Sequence, residues 1–273
     1  MFVFDFDLFL DSQPKNISFK IDNKKTFIFI KKGMYFSYNG TRVFYRFAGN
    51  KSKSPILLLH GWGSDGSVFD NLTSFCSDKS FLIIDFPPFG KSGVLANDYT
   101  IFTYAQVVIS LCEHLSIKKL RIIGHSFGGR VAILLCAILR EYVQMCILID
   151  SAGLKPKRHL SYYYKIYKYK LYKKLGLSTL NMGSKDYLAL SPTMQKTFKS
   201  VVNTYLDDYL VKIECPTLIL WGEKDKETPL YMANKLKKKI KNSTLHIIKD
   251  AGHFCFLDAP LESALIIKEF LEV

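Results

Sequence analysis

The sequence predicts an α/β protein in which a mostly parallel sheet is covered by helices on both faces. Two observations carry this prediction. Short apolar runs alternate with helical patterns along most of the chain, and an antiparallel hairpin precedes them. The 273 residues are 48% hydrophobic and 23% charged, so the chain can bury a large core and is not a disordered one.

The first predicted elements are strands. Residues 17–21 and 27–29 alternate apolar and polar side chains on either side of the polar turn 22–25. Asn39-Gly40 separates the apolar runs 34–38 and 41–47, and this dipeptide is typical of a tight hairpin turn. We expect residues 1–33 to form an N-terminal extension that can include a β-hairpin.

From residue 55 onward, strands and helices alternate. The predicted strands are 55–60, 81–85, 120–124, 145–150, 216–221 and 244–248, and the predicted helices are 67–76, 99–115, 129–142, 229–240 and 261–271. We expect residues 34–153 and 213–273 to form the core. Residues 154–212 are expected to form a helical cap over the carboxyl edge of the sheet, where open α/β sheets bind ligands.

The chain is strongly basic, and most of its positive charge comes from lysine. The formal net charge is +14, but only six of the 38 basic residues are arginine. Because phosphate recognition favours arginine, we do not expect a nucleic-acid partner. The cap carries twelve basic and three acidic residues. These lysines are either a solvated helix face or a surface that docks an acidic acyl carrier protein or an anionic acyl tail, with membrane-surface association as a third possibility.

Cysteine spacing and hydropathy indicate the compartment. The six cysteines form no C-x-x-C pair, and we expect buried, reduced thiols rather than disulfides or a zinc site. The longest apolar run, residues 131–139, is about half of a membrane-spanning helix. The first residues lack the basic region of a secretory signal. We therefore expect a cytoplasmic protein with no transmembrane segment.

The strongest chemical signal is a G-x-S-x-G motif at residues 124–128. It lies between a predicted strand and a predicted helix, which is the context of a nucleophile on a sharp turn. Glycines at both ends remove side chains that would collide in such a turn. We expect Ser126 to be the nucleophile, against the alternative of an ordinary glycine-rich turn.

A serine hydroxyl needs a base that takes its proton and an acid that orients the base. His253 follows the last predicted strand, and Asp225 follows the strand before it. The order Ser126, Asp225, His253 matches one known arrangement of such triads. Glu223 and Asp150, which also follow strands, are weaker alternatives for the acid.

The tetrahedral intermediate of acyl transfer needs hydrogen-bond donors for its oxyanion. We expect the backbone N–H of Phe127, next to the nucleophile, and that of Trp62, in the glycine-rich loop after the first parallel strand. His60, Gly61 and His125 are predicted to contact substrate or to shape its pocket.

Together these motifs resemble the signatures of the α/β-hydrolase superfamily. The resemblance covers residues from about 34 to 273, and its motifs are at residues 60–63 (HGWG), 85–92 (DFPPFGKS), 124–129 (GHSFGG), 221–225 (WGEKD) and 252–253 (GH). The first of them is similar to that of the pimeloyl-carrier-protein methyl ester esterases and of general carboxylesterases. Pro88 stands where relatives usually have glycine. Haloalkane dehalogenases and epoxide hydrolases use aspartate at the position of Ser126, so this serine argues against assigning the chain to either group.

The resemblance implies an α/β-hydrolase fold with an eight-stranded, mostly parallel sheet, and a hydrolase that needs no cofactor or metal. The implied reaction is hydrolysis of a small-molecule carboxylic ester through an acyl-enzyme. Thioesterase, lactonase and carbon–carbon bond hydrolase are alternatives that use the same triad. A ligand-binding member of the fold with little turnover is the alternative outside catalysis.

Overall fold

The computed structural model describes residues 33–157 and 190–272, apart from Lys51 and Lys53. It also describes the strands at 17–21 and 27–31 and, within the predicted cap, residues 164, 167–168, 171–172 and 174.

The described strands form two sheets. The strands are β1 (Ile17–Ile21), β2 (Phe27–Lys31), β3 (Met34–Tyr38), β4 (Thr41–Gly49), β5 (Ile56–Leu59), β6 (Ser80–Asp85), β7 (Leu120–His125), β8 (Val143–Ile149), β9 (Thr217–Gly222) and β10 (Ser243–Ile248). Strands β1 and β2 pair antiparallel, and the other strands form one eight-stranded sheet in the order β10-β9-β8-β7-β5-β6-β4-β3. The pairs β3–β4 and β4–β6 are antiparallel, and the remaining pairs are parallel.

Helices cover both faces of the large sheet. They are α1 (Asp70–Phe75), α2 (Ile101–His114), α3 (Phe127–Ile138), α4 (Pro192–Asn203), α5 (Tyr231–Lys239), α6 (Cys255–Asp258) and α7 (Pro260–Glu272). The apolar side chains of α2, α3 and α5 form one core. Those of α1, α6 and α7 form a second core against the opposite face. The predicted α/β-hydrolase fold, with its mostly parallel eight-stranded sheet, is confirmed.

Most elements lie where the sequence predicts them. At the first hairpin, Asn39 and Gly40 have φ angles of 45° and 80°, as a tight turn with two left-handed residues requires. The predicted helix 129–142 is shifted: α3 begins at Phe127 and ends at Ile138. It begins two residues earlier because Phe127 and Gly128 belong to its first turn instead of to the preceding loop.

The predicted cap is described in part. Its residues 192–203 form α4, but residues 158–189 lie largely outside the described part of the chain. The boundaries 154–212 and the docking of an acidic acyl carrier protein therefore stay predictions.

The cysteine prediction is confirmed, because all six thiols are free and buried. Within the described residues, no helix combines the length and the hydropathy needed to cross a membrane.

Candidate active site

Ser126 lies on the sharp turn between β7 and α3. Its φ and ψ angles are 50° and −110°, a strained conformation for a residue with a side chain. The flanking glycines make this turn possible: a Cβ at Gly124 would lie 2.5 Å from the carbonyl oxygen of Gly128, and one at Gly128 would lie 2.0 Å from that of Leu59. The turn thus places the hydroxyl at the start of α3, above the carboxyl edge of the sheet.

Ser126 and the two partners that the sequence predicts form one hydrogen-bonded series, with His253 in the middle. The Nε2 atom of His253 lies 2.9 Å from Ser126 Oγ, and its Nδ1 lies 2.9 Å from Asp225 Oδ2. In the chain, His253 lies 127 positions after Ser126 and 28 positions after Asp225. They meet because each follows a strand that ends at the same edge of the sheet.

The Asp225 carboxylate is buried and fully bonded. Its Oδ1 accepts the backbone N–H groups of Glu227 (2.8 Å) and Thr228 (3.0 Å), and its Oδ2 accepts the Thr228 hydroxyl (2.6 Å) as well as the imidazole N–H of His253. Burial raises the pKa of Asp225, whereas the hydrogen bonds from His253 and Thr228 lower it. The lowering is the larger effect, so the net change in the pKa is downward. Asp225 is therefore ionised at neutral pH.

The His253 imidazole is held between two carboxylates. Burial lowers the pKa of His253, whereas the hydrogen bond and charge of Asp225 raise it, and the net change is upward. Glu227 contributes to this increase, because its Oε2 lies 3.3 Å from Nε2. A ring whose protonated form is stabilised in this way is suited to accept a proton from a neighbouring hydroxyl.

The two alternative acids bond elsewhere in the described part of the chain. Asp150 is fully buried, and its carboxylate accepts the backbone N–H groups of Gly222 (2.8 Å) and Cys255 (3.1 Å). Burial raises the pKa of Asp150 to about 7. Glu223 is exposed, and its Oε2 accepts the N–H of Asp250 at 3.1 Å. Neither carboxylate bonds to the imidazole.

His60 lies beneath the glycine-rich loop. Its Nδ1–H donates to the carbonyl of Gly61 at 2.7 Å, and its Nε2 accepts the N–H of Phe86 at 2.8 Å. The ring is fully buried, and burial lowers the pKa of His60, which keeps it neutral. Both nitrogens are therefore used by the backbone, and the loop is fixed relative to the end of β6.

Trp62 is held by edge-on contacts with three aromatic rings. The centroid distances are 5.0 Å to Phe89, 5.4 Å to Phe127 and 5.3 Å to Phe198. These contacts join the glycine-rich loop to α3 and α4. The first N–H groups of a helix have no partner within the helix, and Phe127 is the first residue of α3.

His125 is the buried neighbour of Ser126. Its Nε2–H donates to the carbonyl of His253 at 2.8 Å, and its Nδ1 is buried and has no partner in the described structure. A Cβ on Gly61 would lie 3.0 Å from that nitrogen. Burial lowers the pKa of His125 to about 3, so the ring is neutral.

A cavity of about 520 Å³ opens beside Ser126. The predicted residues Gly61, Trp62, His125 and Phe127 are among the residues that line it. Its apolar wall comes from Trp62, Phe127, Phe198, Val201, Val202 and Phe254, of which three belong to α4. The cavity can therefore hold an apolar chain next to the hydroxyl.

Comparison with known proteins identifies the family. Residues 54–209 and 198–260 match the family described as alpha/beta hydrolase fold. The chain belongs to this family.

Two curated relatives and one solved structure show the range of similar proteins. An uncharacterized hydrolase, YugF, of Bacillus subtilis (strain 168) is 25% identical, over 86% of this chain and 95% of its own. A proline iminopeptidase of Lactobacillus helveticus (strain DPC 4571) is 28% identical, over 86% and 96%. The esterase EaEST from Exiguobacterium antarcticum has a TM-score of 0.71 at 21% identity, covering 89% of this chain and all of its own. These matches support a hydrolase of the α/β fold.

Three residues at the site were not predicted from the sequence of this hydrolase. Thr228 and Glu227 contact the pair formed by Asp225 and His253, and Arg130 lines the cavity. Arg130 carried a visible signal, since it is a charged residue inside an otherwise apolar helix. The other two follow Asp225 by two and three residues, and only the turn of the loop brings them to the imidazole.

Proposed function

We propose that this protein is a serine hydrolase that cleaves carboxylic esters through an acyl-enzyme. The observation that carries the proposal is the continuous hydrogen-bonded series from Ser126 Oγ through His253 to Asp225, with both distances at 2.9 Å. This series opens into a cavity with an apolar wall, as binding of an acyl chain requires.

In the first step, Ser126 Oγ attacks the ester carbonyl carbon while His253 Nε2 takes its proton. The ionised Asp225 stabilises the resulting imidazolium and fixes its orientation. The carbonyl oxygen becomes an oxyanion, and we assign its binding to the backbone N–H groups of Phe127 and Trp62. The intermediate then collapses, and the alcohol leaves with the proton from His253.

In the second step, water attacks the acyl-enzyme. His253 takes a proton from the water, a second tetrahedral intermediate forms, and the acid departs as Ser126 regains its proton. We assign His60 to positioning the loop that carries Trp62, because both of its ring nitrogens are bonded to backbone atoms.

Replacing the nucleophile tests this proposal. Ser126→Ala is expected to lower kcat for a p-nitrophenyl acyl ester by at least about 10³-fold. The exposed Ser67 lies outside the cavity, and Ser67→Ala serves as the matched control with unchanged kcat. A fluorophosphonate probe should label the unmutated protein at Ser126 and leave the variant unlabelled. Unchanged hydrolysis in Ser126→Ala would exclude the mechanism.

A substrate panel separates the related activities. The panel contains esters from acetyl to decanoyl, matched thioesters, lactones and a substrate with a cleavable carbon–carbon bond. Ser126 would attack each of them, but the leaving groups differ. We expect esters to be turned over fastest. Labelling at Ser126 without turnover of any substrate would instead favour a ligand-binding member of the fold.

A second candidate is cleavage of an N-terminal proline, since a proline iminopeptidase is among the relatives. The specific observation is Glu227, whose carboxylate lines the cavity and could pair with a protonated amine. Prolyl p-nitroanilide tests this activity. If its kcat/KM exceeds that of the p-nitrophenyl esters, the peptidase assignment replaces the esterase one.

A further inference from the structure

Arg130 is a buried cation that the proposed mechanism does not use. It lies one helical turn after Ser126 in α3, where its neighbours are apolar, and its residue surface is only 7% exposed. It nevertheless lines the same cavity as Ser126. A buried charge is costly unless it is paired or bonded, so its presence in this position calls for an explanation.

The bonds of Arg130 compensate its charge only in part. Its Nη1 donates to the carbonyl oxygens of Val201 (2.7 Å) and Thr204 (2.5 Å), at the carboxyl end of α4. A helix end of this kind is equivalent to roughly half a negative charge. Among the described residues, no carboxylate forms an ion pair with this guanidinium. Burial lowers the pKa of Arg130 to about 10, which leaves it charged at neutral pH.

The rest of the cavity does not neutralise this charge. Its acidic lining residue among those described is Glu227, which is 71% exposed at the side chain and lies against His253. The amino end of α3 adds partial positive charge at Ser126. The end of the cavity between Ser126 and Arg130 is therefore positive, with the apolar side chains of Phe198, Val201 and Val202 beside it.

We propose that Arg130 binds a carboxylate on the acyl part of the substrate, so that the preferred substrates are half-esters of dicarboxylic acids. This proposal rests on the proposed ester hydrolysis. Arg130 follows Ser126 by four positions, a rise of roughly 6 Å along the helix, so a chain of a few methylenes reaches from the ester carbonyl to the guanidinium. The methylenes contact the apolar wall, and the carboxylate completes the neutralisation of Arg130.

The first experiment uses the unmutated protein. Its kcat/KM is measured for p-nitrophenyl half-esters of succinate, adipate and suberate, and for uncharged p-nitrophenyl alkanoates of matched length. We expect a preference of about 10- to 100-fold for one of the half-esters over its uncharged partner. Equal values across all pairs would overturn the proposal.

The second experiment asks whether Arg130 causes the preference. Arg130→Met should lower kcat/KM for the half-ester by about 10- to 100-fold and for the uncharged ester by less than about threefold. Arg130→Lys keeps the charge and should retain part of the preference. The exposed Arg140, which pairs with Glu214, supplies the control Arg140→Met, with both rates unchanged. An equal loss for both ester classes in Arg130→Met would mean that Arg130 only holds α4 on α3.

A binding measurement separates this proposal from the proposed function. Adipate should raise the Tm of the unmutated protein more than hexanoate does at equal concentration, and Arg130→Met should abolish the difference. If no ester is hydrolysed but adipate still stabilises the protein through Arg130, the esterase assignment fails and the carboxylate site stands. If esters are hydrolysed but adipate and hexanoate stabilise equally, the carboxylate site fails alone.

Discussion

Replacing Asp225 by asparagine tests how the acid controls the proton on His253. The Oδ1 atom of Asp225 accepts two backbone N–H groups, so the amide oxygen of asparagine should occupy that position. The amide NH₂ then faces the partners of Oδ2, which are the imidazole and the Thr228 hydroxyl. Because an NH₂ group can only donate, Nδ1 of His253 must become the acceptor and the ring proton must move to Nε2. In that tautomer, Nε2 cannot take the proton of Ser126.

The expected loss in rate follows from this change of tautomer. The variant keeps the shape of the side chain and two of its four hydrogen bonds, but the ring must first return to the productive tautomer without a carboxylate to stabilise it. We expect kcat to fall by about 10⁴-fold. At 1.36 kcal/mol for each factor of ten, this is about 5 kcal/mol of transition-state stabilisation.

The assay is steady-state hydrolysis of a p-nitrophenyl ester, with thermal unfolding to verify that the variant is folded. Asp250→Asn is the matched control, since Asp250 is three residues before His253, is exposed and pairs with Lys224 on the surface. Such a surface pair contributes little, and asparagine tolerates the positive φ angle of 60° at this position. A folded Asp225→Asn variant whose kcat stays within tenfold of the unmutated protein would refute the assignment of Asp225 as the orienting acid.

Two further predictions concern pH. Glu227→Gln removes a carboxylate that raises the pKa of His253, so the acid limb of the kcat/KM profile should move to lower pH. The control Glu223→Gln should leave that limb in place. The pKa of the buried Asp150 is raised to about 7, so ionisation of Asp150 destabilises the folded state by about 4 kcal/mol. This destabilisation is absent below about pH 4 and reaches its full value above about pH 7. Urea unfolding at about pH 4 and about pH 7 measures the free energy of unfolding of the unmutated protein and of Asp150→Asn. The value for the unmutated protein relative to the variant should decrease by up to that amount as the pH rises. An equal difference between the two proteins at both pH values would contradict the raised pKa.

The sheet could be predicted from the sequence because its signals are local. Continuous apolar runs define the buried parallel strands, and the Asn39-Gly40 turn defines the opening hairpin. The G-x-S-x-G motif is local as well, since the glycine at 128 is needed for the contact with the backbone of Leu59. The start of α3 was less predictable, because a glycine such as Gly128 in the first turn of a helix looks like part of a loop when only the sequence is read.

The neighbours of the site could not be predicted in the same way, because they depend on contacts between distant segments. Arg130 meets the carbonyl of Val201, which is 71 residues later in the chain. Nothing in the composition of either segment specifies that α4 ends over α3. Likewise, the order of residues placed Asp225 and His253 after neighbouring strands, but the choice between Asp225 and Asp150 required knowing which carboxylate faces the imidazole.

Three buried polar residues explain how separate loops reach a common geometry. His60 fixes the glycine-rich loop to the end of β6, His125 bonds to the carbonyl of His253, and Asp150 joins the end of β9 to the start of α6. Each of these side chains bonds to backbone atoms, so the position of a loop is fixed whatever side chain it carries there. Both imidazoles are kept neutral by burial, which lets them bond inside the protein without the cost of a buried charge. Loss of any of the three leaves buried backbone groups without partners, at about 1–3 kcal/mol for each group. The distances within the site therefore depend on residues that need not touch a substrate, and the substrate can be specified separately by the side chains of α4 and by Arg130.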